Sequence, residues 1–197
     1  MATSSSFLSD DWLAAVLATP GLTALRDPKR AREMLFEDAL RAQPLLEQFD
    51  GPVVDVGSGG GSPGIPLAAA SPEREVTLLE AERRKCDFLG RWAPPNAEIV
   101  WGRAEEQEPE RWGVALAKAL ARPPVAAELC LPLVRPGGAV ILWLGESADL
   151  EQLAAASEQL GGGHPELHEG LAVLPKVAPT PPGFPRRAGV AKKRPLA

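Results

Sequence analysis

Residues 53–70 read VVDVGSGGGSPGIPLAAA. An apolar run enters a glycine-rich bend, and a second apolar run leaves it. Gly57, Gly59 and Gly61 carry no Cβ, so the main chain can turn sharply there and let a ligand lie against it. The run from Pro63 onward predicts a helix whose first N–H groups and positive dipole end face the same space. In an open α/β sheet, the loop after the first strand lies beyond the carboxyl ends of the strands, where ligands sit. Gly59-x-Gly61-x-x-Gly64 formally fits the dinucleotide fingerprint, and the lysine pattern of a phosphate-binding P-loop is missing. The bend by itself does not name its ligand.

Outward from this bend the pattern repeats. PVVDV, EVTLL, AEIVW, GVALAKA and GAVILWL are short strand-like runs. Helical stretches at 63–70, 82–92, 103–109, 123–134 and 147–160 alternate with them. That alternation predicts a mostly parallel sheet with helices on both faces, a Rossmann-like α/β fold. RPGGAV is read as a sharp stop before the fifth strand, and ELH with GLAVLPKV as a closing antiparallel pair. Ahead of the sheet, Ser9 is read as a helix cap. Residues 28–49 are read as one helix, capped by Asp27 and kinked or divided at Pro44, burying Met34, Leu35, Leu45, Leu46 and Phe49. The expected organisation is a helical cap over 1–50, a Rossmann-like unit over 51–178, and an irregular, proline-rich basic tail over 179–197 within the same single domain.

Composition narrows the function. Apolar residues make up 45% of the 197-residue chain, enough to bury a core, and the formal net charge of −5 argues against a surface built wholly for nucleic acid. Beyond residue 185, however, every ionisable side chain is basic: Arg186, Arg187, Lys192, Lys193 and Arg194. Such a patch can bind phosphate on an otherwise acidic protein. Cys86 and Cys130 lie far apart with no ligand-spaced neighbours, so neither a zinc site nor a disulfide framework is expected. The start, MATSSSFLSDDWL, has no basic lead or long apolar run, and no stretch approaches a membrane span. A cytoplasmic protein without metal or membrane is the expectation.

Two acids sharpen the ligand. Asp55 sits on the strand just before the glycines, placed to order the loop or bond a ligand. Glu80 ends the second strand, where a carboxylate accepts both ribose hydroxyls of an adenosine. GRAEEQ, residues 102–107, follows the third strand, where an adenine would lie. A nicotinamide enzyme and an S-adenosylmethionine enzyme could both use these groups. A single unit of this size suits the second, because the sulfonium already activates the methyl group.

VVDVGSGGGSPGIPLA, VTLLEAERRKCDFL, GRAEE and GFPRRAGVAKKRPL occur in the order seen in the RsmG (GidB) family, which the chain resembles from about residue 21 onward. The Pro63–Leu67 continuation of the glycine loop and the FPRRxG tail are the most specific parts. The resemblance implies an S-adenosylmethionine-dependent methyltransferase acting on N7 of a guanine in 16S rRNA of the small ribosomal subunit. It also implies cofactor contacts at Gly57, Ser62, Ala104 and Glu105, beside Glu80 on the ribose. Lys118 stands where the family has an arginine near cofactor and substrate, and is read as a base-edge or phosphate contact. The family's bulky apolar residue is Ser62 here, and its cap histidine is absent from MLFEDALRA.

Guanine N7 has an in-plane lone pair and no proton to lose, so no general base is required. The two histidines, His164 and His168, are accordingly read as incidental. RNA would be gripped by Lys118, Arg186, Arg187, Lys192, Lys193 and Arg194, and loss of 186–197 should affect RNA binding far more than cofactor binding. A monomer is expected. A small-molecule methyltransferase or a non-catalytic RNA-binding relative remain alternatives on the same fold.

Overall fold

A computed structural model describes the backbone of residues 4–197 and the side chains from Ser9 onward; the first three residues of the N-terminal stretch lie outside the described residues. Helix α1 spans Ser4–Ala18. The cap continues through α2 (Pro28–Ala31), a π-helical turn (Arg32–Glu37), α3 (Asp38–Leu40) and α4 (Gln43–Leu46). Then come β1 (Val53–Val56), α5 (Gly64–Ala70), β2 (Val76–Glu80), α6 (Arg83–Trp92) and β3 (Ala97–Trp101). They are followed by β4 (Trp112–Ala117), α7 (Pro123–Cys130), β5 (Val134–Trp143), α8 (Leu150–Gln159), β6 (Glu166–His168), β7 (Leu171–Pro175) and α9 (Val190–Lys193).

The seven strands lie in the order β3-β2-β1-β4-β5-β7-β6. β1 pairs in parallel with β2 (Val53 beside Val76) and with β4 (Asp55 beside Leu116). β7 runs antiparallel to both β5 and β6, as the expected closing pair. Every residue of β1, β2 and β4 is buried, which explains why they are mostly apolar: both sheet faces are covered. Alternate side chains feed two cores. Val54, Val56, Ala115 and Leu142 pack with α7 and α8; Val53, Leu78, Val114 and Ile141 pack with α1, α5 and α6. Chain direction reverses its progress across the sheet between β1 and β4, which opens a crevice beyond their carboxyl ends.

Local chemistry explains where the elements depart from expectation. Ser9 lies buried inside α1 and does not cap it. Asp27 does cap α2, its Oδ1 accepting from Lys29 N at 2.8 Å and Arg30 N at 3.1 Å. Beyond it the expected single helix is broken into four pieces. The break falls at Arg41–Ala42, and Pro44 opens the next helix, where its missing N–H costs nothing. Within the π turn, the carbonyls of Met34 and Leu35 accept side-chain bonds from Lys118 and Ser62. Met34 is exposed where a buried residue was expected. The stretch 103–109 is only a 3-10 turn over Ala104–Glu106. RPGGAV is not a stop before β5 but lies within it, with Gly137 at φ +87° and a register shift opposite Trp112 and Val114. There a Cβ on Gly138 would stand 2.0 Å from the Gly113 carbonyl oxygen, so only glycine lets the strands close.

Candidate active site

The crevice is a cleft of about 670 Å³ beyond the ends of β1, β2, β3 and β4. Its floor is the bend after β1, where Gly57, Gly59 and Gly61 take φ values of +74°, +56° and +104°. These left-handed conformations disfavour any side chain. The bend is fixed from all sides. Gly57 N and Ser58 N donate to the Leu79 carbonyl at 2.8 and 3.1 Å. Trp12 Nε1, reaching in from α1, donates to the Gly60 carbonyl at 2.8 Å. A Cβ on Gly57 would meet Leu120 Cδ1 at 2.5 Å, so Leu120 is the side chain that closes over this part of the cleft.

Glu80 is 6% exposed and lines the cleft. Its Oε2 accepts from Gly59 N at 2.9 Å and its Oε1 from Glu82 N at 2.8 Å. The carboxylate therefore couples the bend to β2, and each oxygen keeps a lone pair for a further donor.

Asp55 lies beneath the bend and is 1% exposed. Its Oδ2 accepts from Gly64 N at 3.0 Å, while Oδ1 meets no donor among the described residues. A Cβ on Gly64 would come within 2.6 Å of that same Oδ2, so helix and strand can approach this closely only at glycine. Burial pushes the Asp55 carboxyl up to about 7, against the bond from Gly64 N and the nearby Ser58 hydroxyl, with Glu80 reinforcing it and Lys118 opposing it. A raised folded-state value means that Asp55 favours the fold most at low pH, and that this contribution is lost as pH climbs from about 4 to about 7. Relative to wild type, Asp55→Asn should gain stability progressively as pH rises through that window, reaching roughly 4 kcal/mol and keeping that margin at higher pH. Urea unfolding of both proteins at a series of pH values checks this; parallel curves would refute it.

The remaining expected site residues are divided by the structure. Ala104 is buried on the cleft wall, and Ser62 lines it while its Oγ donates to the Leu35 carbonyl at 2.7 Å. Glu105 also lines the cleft, yet its Oε1 accepts from Gly189 N at 3.0 Å and so ties in the tail. Lys118 lies just past β4 and lines the cleft, with Nζ 2.5 Å from Asp38 Oδ2. Burial pushes its pKa down, and the bond to Asp38 and its charge oppose that.

The tail is irregular apart from α9, as expected, yet it is packed into the site. Gly189, Ala191 and Lys192 form part of the cleft wall. Arg186 is no outward grip: its guanidinium pairs with the buried carboxylate of Glu128 on α7 and bonds the Arg194 carbonyl at 2.8 Å. Lys176 Nζ, 1% exposed, donates to Leu131 O, Leu160 O and Thr180 Oγ1, so the start of the tail is pinned as well. Arg187, Lys192, Lys193 and Arg194 are exposed. Sequence reasoning missed Trp12, Asp38, Leu120 and Glu128. Only Glu128 left a signal, as a lone acid in the apolar helix VAAELC.

Among the described residues no cluster of three His, Cys, Asp or Glu could hold a metal ion, and no helix is long and apolar enough to cross a membrane. The cleft fits an adenosyl ligand: its volume is that of a small-molecule site, its floor lacks side chains, and an acid stands where ribose hydroxyls would donate.

This strand order, with a glycine bend after β1 and an acid closing β2, defines a class I S-adenosylmethionine-dependent methyltransferase. The same fold occurs in a T. thermophilus 16S rRNA methyltransferase (RsmC), solved with AdoMet and guanosine (TM-score 0.51, 18% identity, covering 72% of this chain and 40% of that one). The family model described as GidB, rRNA small subunit methyltransferase G, matches residues 11–164, and the chain belongs to that family. Proteins named ribosomal RNA small subunit methyltransferase G from Synechococcus sp. and Symbiobacterium thermophilum are each 38% identical to it. The alignments cover 90% and 89% of this chain, and 79% and 82% of those proteins.

Proposed function

We propose that the chain transfers the methyl group of S-adenosylmethionine to N7 of a guanine in 16S rRNA, on the small ribosomal subunit, as a cytoplasmic monomer. The family match over residues 11–164 carries this reading, and the adenosyl-shaped cleft supports it. The bound donor supplies a methyl group already activated by its sulfonium. Gly57, Gly59 and Gly61 form the surface against which the donor lies, and Glu80 holds its ribose. Ala104 and Glu105 flank the adenine, and Ser62 borders the bend. Because N7 presents a lone pair and no proton, the task left to these residues is alignment of the reacting atoms. Arg187, Lys192, Lys193 and Arg194 grip RNA phosphates, with Lys192 at the junction of grip and cleft. Arg186 serves that grip indirectly, by fixing the segment that carries it.

The test uses small subunits from cells lacking their own copy of this enzyme, incubated with the protein and methyl-labelled donor. Label recovered as 7-methylguanine after digestion of the 16S rRNA is the expected result, with a rate that falls as salt rises. Label absent from RNA, or found only in small molecules, would overturn the reading.

A further inference from the structure

The contacts of Lys118 converge on one residue outside the cleft. Its Nζ lies 2.5 Å from Asp38 Oδ2, donates to the Met34 carbonyl, and stands 5.7 Å from the centre of the Trp143 ring. Trp143 is itself oriented by Asp38, whose carbonyl accepts from the indole Nε1 at 3.2 Å. The other carboxylate oxygen of Asp38 accepts from Arg41 Nη1 at 2.7 Å. Asp38 thus holds the ammonium, the ring beneath it and a second cation, all from the cap. The Lys118 side chain is 13% exposed, so its charge is poorly screened by water.

We propose that Asp38 is a positioning residue for methyl transfer: it fixes Lys118 at the cleft and offsets its charge where the purine becomes cationic. This rests on the N7 reading above. In that reaction the N7 lone pair forms the bond to the methyl carbon, the carbon–sulfur pair returns to sulfur, and no proton moves. Positive charge passes from sulfur to purine. A lone ammonium beside the purine opposes that step, whereas an ammonium paired with a carboxylate is close to neutral toward it. The charged groups facing Lys118 are Asp38 and Arg41 from the cap and Asp55 from β1.

The experiment compares Asp38→Asn, Lys118→Met and the double variant as full-length proteins on small subunits, with donor affinity and melting temperature recorded for each. Asp38→Asn should lower kcat at least about tenfold with little change in donor KM, and removing Lys118 as well should recover part of the loss. Asp38→Glu should keep the rate within about threefold of wild type. If the asparagine variant fails to fold, Asp38→Ser takes its place in the series. Asp38→Asn turning over like wild type, or a double variant no faster than it, would overturn the inference. With 7-methylguanine still formed by the wild type, that failure is confined to Asp38; no methyl at N7 in the wild type removes the reading and this inference together.

Discussion

Glu80→Ala should weaken binding of S-adenosylmethionine, or of its demethylated product, by roughly 100-fold or more. Two losses add. The ribose hydroxyls lose a charged acceptor, and hydrogen bonds to charged groups are worth about 1.5–3 kcal/mol each. The Gly59 and Glu82 N–H groups, now held at 2.9 and 2.8 Å, lose their partner too, so the bend itself loosens. Glu80→Gln separates the two effects. Its amide oxygen can still accept from Gly59, while the other arm turns from acceptor into donor. An intermediate affinity is therefore expected. Calorimetric titration of the three proteins checks the order; an alanine variant within about threefold of wild type would remove Glu80 from the site.

The second large effect lies far from the glycines. Glu128→Ala should cost about 3 kcal/mol of stability, at the lower end of the range for breaking a buried ion pair, because Arg186 is partly exposed. Donor affinity should fall along with it. Arg186 anchors the segment whose Gly189, Ala191 and Lys192 wall the cleft, and Gly189 N is bonded to Glu105. Deleting 186–197 should do the same more severely, weakening donor and RNA binding together. This departs from the expectation from sequence, in which loss of 186–197 affects RNA binding far more than cofactor binding. Denaturant unfolding and donor titration of both variants decide it. Unchanged donor affinity in the truncated protein would restore the simpler picture of a detached basic tail.

Those two cases show what the sequence carries and what it hides. β1, β2 and β4 are legible because burial on both faces leaves mostly apolar runs bounded by turn residues. The bend and Glu80 are legible because each sits at a fixed offset from a strand end, so local pattern alone locates it. Arg186 misleads because its partner, Glu128, lies 58 positions away, and a basic run looks the same whether it faces solvent or a buried acid. Lys118 and Met34 are separated by 84 positions, and the π turn that brings the Met34 carbonyl to the ammonium leaves no periodicity to detect. At 103–109 the residues favour a helix, but only one 3-10 turn forms, with Glu106 bonding back to Arg103 N. Tertiary contacts decide these places, and they lie beyond a short window of sequence.

The central claim is that a side-chain-free bend at residues 57–61 and the carboxylate of Glu80 together seat the methyl donor. A crystal structure of the chain with S-adenosylhomocysteine tests it most directly. The ribose hydroxyls should lie within hydrogen-bond distance of Glu80 Oε1 and Oε2, with the ligand in van der Waals contact with the main chain of Gly57 and Gly59. A ligand seated elsewhere, or a ribose facing any other side chain, would contradict the account.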